Sequence, residues 1–246
     1  MTFIRRVLTA FILSLSTLYA EGPPLNVGIQ RFNPPFEIQG ADNEVYGFDV
    51  DMMNSLCKII NRTCVFHVIK FDSLLNDVAS KKLDAAVSSI TITPDRSALV
   101  NFSLPYLLSY SRFLASADSA KQPFSLSLLN NKKLGVETGT IFADQIKSLG
   151  IINPTIKQYD SVDLLVEALG KKDVDYILFD SPTATYWAAN SGGEFGVVGP
   201  PLLYGYGFGI AVNKEDRQLL LDLNRALLQY QNSEDYKINY NKYLEL

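Results

Sequence analysis

Histidine occurs once in this chain of 246 residues, tryptophan once and cysteine twice. So few imidazoles and thiols leave no spacing of ligands for a metal and no ready pairing of a nucleophile with a base. The one histidine, His67, sits in the apparent strand CVFHVIKF, where an imidazole is more often a satisfied or surface group than a base. No catalytic residue, metal or cofactor is expected. A basic excess is missing too. Lys and Arg total 22 against 26 Asp and Glu, a net charge of -4 that disfavours nucleic acid as a partner. No uncharged apolar run reaches the roughly 20 residues needed to span a bilayer.

The longest apolar run opens the chain. MTFIRRVLTAFILSLSTLYAEGPP sets Arg5 and Arg6 ahead of an apolar stretch from Val7 to Tyr19, with Ala20 before polar, proline-containing sequence. This is the pattern of a secretory signal peptide, residues 1–20, and it implies export to the periplasm. Leu18 is large for a residue three positions before the cut, so an uncleaved anchor is the alternative. No cysteine stands at the cut to carry a lipid. Removal takes away two arginines and no acid, so -4 becomes -6. An oxidising compartment favours a disulfide between Cys57 and Cys64 over two buried thiols.

About 225 remaining residues can fill one large domain or two small ones, and a repeat argues for two. FDSLLNDVASKKLDAAVSS from Phe71 and YDSVDLLVEALGKKDVDYILFDS from Tyr159 share one plan: aromatic-Asp-Ser, amphipathic helix, Lys-Lys, Asp, apolar strand, polar end. Upstream, LNVGIQ and KLGVETGT read as first strands, while CVFHVIKF and INPTIKQYD read as second ones. Each half therefore runs strand, helix, strand, helix, strand, which implies an α/β lobe with a parallel-rich sheet covered on both faces. The chain after Pro201 shows no counterpart in the repeat. Its stretch from Gly205 to Val212 reads as a strand returning to the first lobe.

In such sheets ligands gather beyond the carboxyl ends of the strands. Here those ends are Gln30 and the loop to Phe36, Ser88 to Thr91, Glu137 to Thr140, and Asp180-Ser181. SSITITPDR adds a helix start, with Thr93 as N-cap and Pro94 at the first helical position, so Arg96 falls in the first turn. A guanidinium beside short hydroxyls suits a carboxylate or a phosphate. A strand running into an ordinary surface turn is the plainer alternative.

PPFE at 34–37, GFDVDMM at 47–53, the Cys57/Cys64 spacing, FDSLL, KKLDAAVSSITITPDR, VETGT and GYGFGIAV, in this order, resemble the periplasmic solute-binding proteins of polar amino-acid ABC transporters. The arginine-binding and lysine/arginine/ornithine-binding members are the most similar. The resemblance covers essentially the whole mature chain. It implies the type II periplasmic-binding-protein fold, with lobe 1 at 21–110 and 206–246, lobe 2 at 111–205, and two hinge crossovers. It also implies a monomer that captures a polar L-amino acid between the lobes and delivers it to an ABC permease in the inner membrane.

Residue by residue, Arg96 matches the family's grip on the ligand α-carboxylate. Ser88, Ser89 and Thr91 match its head-group residues, Thr140 a donor from the second lobe, Asp180 the partner of the α-ammonium, and Phe71 an aromatic wall. Relatives that take cationic ligands carry an acid where Gln30 stands and a tyrosine where Asn33 stands. Arginine is favoured because the motif set matches arginine binders best, with Glu137 as the acid that compensates for Gln30, and glutamine, matched by Gln30, is the alternative. A sensor domain is a further alternative, disfavoured because the chain ends at Leu246 without a membrane segment. An enzyme on the same fold, of the cyclohexadienyl dehydratase kind, is the reading of a different class.

Overall fold

The structure is a computed structural model that describes residues 22–245; the signal-peptide reading lies outside them. Strand Leu25–Ile29 is inward-facing at all but one position, as a strand covered on both faces must be. It pairs in parallel with Cys64–Val68 on one side and with Ala85–Ala86 on the other. Helices Phe48–Ile59 and Phe71–Ala79 connect these parallel strands. The second sheet repeats this pattern. Lys133–Glu137 lies between Thr155–Tyr159 and Tyr176–Asp180, all parallel, with helices Phe142–Ser148 and Val162–Gly170 between them.

The predicted strand and helix order thus holds in both halves, but the sheets are mixed. Each gains an antiparallel fourth strand next to its third: Ala211–Val212 in the first sheet and Tyr110–Ser116 in the second. Each ends on an antiparallel fifth, Asn101–Phe102 and Phe195–Leu203. The chain after Pro201 therefore does have a counterpart, contrary to the sequence reading, since Ala211–Val212 occupies the place that Tyr110–Ser116 holds in the other sheet. The returning strand is also shorter than Gly205 to Val212. Gly205 takes φ +74°, and a Cβ there would stand 2.3 Å from the Thr91 methyl carbon, so the backbone turns against Thr91 before the strand begins.

The chain passes between the sheets twice, over residues 103–109 and 204–210, where Phe208 bridges both Thr91 and Leu107. Each sheet is filled on both faces. In the first, Val27, Met52, Leu56, Leu223 and Leu227 share one core, while Leu74, Val78, Ile90 and Val100 form the other. Val162, Leu165 and Phe179 pack on one side of the second sheet, with Phe142, Ile146 and Leu178 on the opposite side. No helix among the described residues is long and apolar enough to cross a membrane.

Cys57, in helix Phe48–Ile59, is disulfide-bonded to Cys64 at the start of the next strand. Reduction is expected to lower the melting temperature by about 5–10 °C, from roughly 2–3 kcal/mol of loop-closure entropy. Ligand affinity should not change, because the bond lies away from the carboxyl ends of the strands. Differential scanning calorimetry and titration calorimetry with and without reductant check both halves of this expectation.

A candidate ligand-binding site between the lobes

The four strand ends meet where the lobes face each other. Nine of the ten residues expected there line one small cavity; the exception is Ser88. Its side chain is fully buried and donates to the carboxylate of Glu37 inside the first lobe. The chain bends at these two residues beyond the strand Ala85–Ala86, with Ser88 turned to the interior and Ser89 to the cleft.

Arg96 is placed as its helix signals require. The Thr93 hydroxyl accepts the Arg96 N–H at 3.3 Å, and Pro94 opens the helix Pro94–Leu99. The guanidinium donates to the carbonyl of Thr91 at 2.9 Å and, across the cleft, to the carbonyl of Gly139 at 3.0 Å. Gly139 has φ +81°, and a Cβ there would stand 2.8 Å from the backbone of Asp72, so the lobes meet too closely for any side chain. The Phe71 ring lies 5.4 Å below the guanidinium carbon. Burial lowers the Arg96 pKa to about 10, opposed by Asp180, so Arg96 stays charged at neutral pH. Those two carbonyls use two of the five guanidinium N–H groups.

Asp180 ends the second lobe's third strand. Its side chain makes no capping bond to the helix Ser181–Asn190 that follows. Instead its Oδ2 accepts from the Ser89 hydroxyl at 2.8 Å, across the lobes. Burial raises its pKa to about 7, opposed by the Ser89 hydrogen bond and by Arg96. Asn33 joins the same network: its Nδ2 donates to the Ser89 hydroxyl at 3.0 Å, and its Oδ1 accepts from Thr183 at 3.0 Å. Thr91 contributes its carbonyl to Arg96, and the Thr140 hydroxyl is turned onto the carbonyl of Glu137 at 2.7 Å.

Two groups at the site lack partners. Gln30 is 4% exposed and its Oε1 has no hydrogen bond. Glu137 is 7% exposed, and none of the hydrogen bonds among the described residues involves its carboxylate. Burial, then Asp180, Asp163 and Asp72, raise its pKa to about 8. Gln30, Phe71 and Glu137 also border a wider cavity toward solvent. Two ion pairs cross between the lobes there, Arg31 to Asp163 at 3.0 Å and Lys70 to Asp160 at 2.8 Å.

Three functional candidates were not singled out as site residues. Thr183 is one. The others, Glu37 and Asp49, lie in PPFE and GFDVDMM, and both are completely buried behind Ser88 and Ser89. Burial, then Asp49, holds the Glu37 carboxyl well above the usual range, and burial raises Asp49 to about 7. Of the nearby aromatics, Phe36 is core against Phe208, whereas Phe32 meets Trp187 edge-on and borders the outer cavity. His67 is exposed and lies 2.9 Å from the Asn26 side-chain oxygen, a satisfied surface histidine.

Residues 25–246 match the profile of the bacterial extracellular solute-binding proteins, family 3. The chain belongs to that family. Among family 3 relatives, the ABC transporter arginine-binding protein 1 of Escherichia coli K12 is 33% identical over 227 residues, 90% of each chain. A solved arginine transport-system periplasmic binding protein from Legionella pneumophila superposes with a TM-score of 0.85 at 31% identity, covering 91% of this chain and all of that one. An ancestral arginine-binding protein, solved with arginine and separately with glutamine, gives 0.81 at 27% identity over about nine-tenths of this chain and 98% of its own. As a family 3 protein the chain has the type II periplasmic-binding-protein fold, acts outside the cytoplasm, and binds solute rather than transforming it.

Proposed function

We propose that the protein captures L-arginine between its lobes and hands it to an ABC permease, acting as a monomer. One observation carries this reading. A charged Arg96 on the first lobe and a buried Asp180 on the second converge on one cavity, and a third ionisable group, Glu137, lies buried beside them with no hydrogen bond to its carboxylate among the described residues. An α-amino acid supplies a carboxylate for the free N–H groups of Arg96 and an ammonium for Asp180, Ser89 and Thr91. A guanidinium extended past Phe71 supplies the cation that Glu137 lacks and a donor for Gln30. Thr140 completes the carboxylate side. Residues 21–110 with 206–246 form one moving body and 111–205 the other, and the two crossovers act as the hinge.

Glutamine is the second reading, and Gln30 favours it: a neutral amide pairs with an amide by hydrogen bonds alone. The relatives allow for both, since an ancestral arginine-binding protein was solved with each. Thermal unfolding against all common L-amino acids separates the two readings. Ligand at about a thousand times its dissociation constant adds roughly 4 kcal/mol, or about 8–16 °C for a chain of this size. Arginine should give the largest shift. A full shift with glutamine and none with arginine would replace the side-chain assignment, and no shift with any amino acid would overturn the reading.

A further inference from the structure

Ser89 has a backbone that a side chain seldom adopts. Its φ is +40°, on the left-handed side that costs non-glycine residues energy and that clusters at functional sites. Something must hold it there. Behind it, the completely buried Asp49 accepts the Ser89 N–H on Oδ2 at 2.8 Å and, on the same oxygen, the Tyr106 hydroxyl at 2.9 Å. In front, the Ser89 hydroxyl donates to Asp180 at 2.8 Å and accepts from Asn33 at 3.0 Å.

Tyr106 ties this network to the hinge. It lies in the first crossover, its N–H donates to the Phe208 carbonyl in the second crossover at 2.9 Å, and its ring stacks on Phe48, the residue before Asp49. One carboxylate behind the cleft therefore connects the hinge to a residue inside it. We propose that Asp49 is a positioning residue for ammonium recognition: it holds Ser89 in the left-handed conformation that keeps the serine hydroxyl on Asp180. The ligand's amino group then meets a hydroxyl and a carboxylate already in place.

This rests on the amino-acid reading above. A merely structural acid would weaken every ligand alike when removed, whereas a positioning acid fails selectively at the amino group. The probes are L-arginine and 5-guanidinopentanoate, which is arginine without its amino group, with L-glutamine and 4-carbamoylbutanoate as the neutral pair. Wild-type protein should prefer the amino acid over its analogue by about thirtyfold or more.

Asp49→Ala should weaken the amino acid about tenfold or more and the analogue less than about threefold, shrinking the preference. Asp49→Asn keeps an oxygen that can accept the Ser89 N–H, and should restore the preference to within about threefold of wild type. If Asp49→Ala does not fold, Tyr106→Phe decides, since it keeps the ring and removes one donor. Its preference should fall about threefold with the melting temperature nearly unchanged. Equal losses for amino acid and analogue in a folded Asp49→Ala, or an unchanged preference in Tyr106→Phe, overturn the inference alone. A wild type that binds neither amino acid overturns the reading beneath it, and the inference with it.

Discussion

Arg96→Ala is expected to weaken arginine binding by about thirtyfold to several thousandfold, the consequence of a roughly 2–5 kcal/mol loss when one partner of a desolvated ion pair is removed. The ligand carboxylate would be left inside a closed cleft without its cation, and the Thr140 hydroxyl nearby already donates to the Glu137 carbonyl. The fold should tolerate the change. Arg96 is half-buried in a short helix that contributes no side chain to the core, and its two acceptors are backbone carbonyls at the cleft that water can reach when the lobes part. Titration calorimetry beside a thermal melt measures both. Near wild-type affinity in a folded variant would refute the carboxylate grip.

Glu137→Gln should cost arginine about tenfold to a hundredfold in affinity, because hydrogen bonds to charged groups contribute roughly 1.5–3 kcal/mol, and should leave glutamine nearly unaffected. The pH dependence supplies a second signature. With its pKa raised to about 8 from an ordinary 4.5, Glu137 is protonated in the ligand-free protein at neutral pH. A bound guanidinium favours the carboxylate, so binding releases a proton and arginine affinity rises as the pH climbs toward 8.

Ligand-free stability runs the other way. The unfolded chain loses this proton first, so the contribution is full below the ordinary value and falls as pH rises toward 8. Glu137→Gln should remove that fall and reduce the proton release, leaving the part due to Asp180, whose pKa is about 7. Calorimetry in buffers of different ionisation enthalpy reads the proton count. Unchanged arginine affinity and unchanged proton release in the variant would defeat the role given to Glu137.

The repeat and the strand ends were legible because their signals are local. Helical periodicity, a Lys-Lys turn and a polar residue after an apolar run each lie within a few positions, and they place Gln30, Ser89, Arg96, Glu137 and Asp180 at one cleft. The misses all come from partners far apart in the chain. Ser88 and Ser89 are the same residue type in adjacent positions, and only Glu37, 51 residues away from Ser88, and Asp49, 40 residues away from Ser89, show which one faces inward. The small antiparallel sheet of Phe32–Asn33, Glu37–Gln39 and Val45–Tyr46, which carries Asn33 and Glu37, reads in sequence as a loop. Its strands are too short to show alternation. Asn33 reaches Thr183 over 150 residues, a contact that no periodicity announces.

The exchange of fourth strands has a consequence for how the chain matures. In the finished first sheet, Ala85–Ala86 and Asn101–Phe102 do not pair with each other; each pairs with Ala211–Val212, which lies between them. The second sheet needs nothing beyond Leu203. As the polypeptide emerges from its N-terminal end, the second lobe therefore holds all its strands while the first still has a gap in the middle of its sheet. The helix Arg217–Gln231, whose Leu223 and Leu227 fill the core under that sheet, arrives later still. The half that emerges first closes last. Its long-range pairing keeps it open until nearly the whole chain is present.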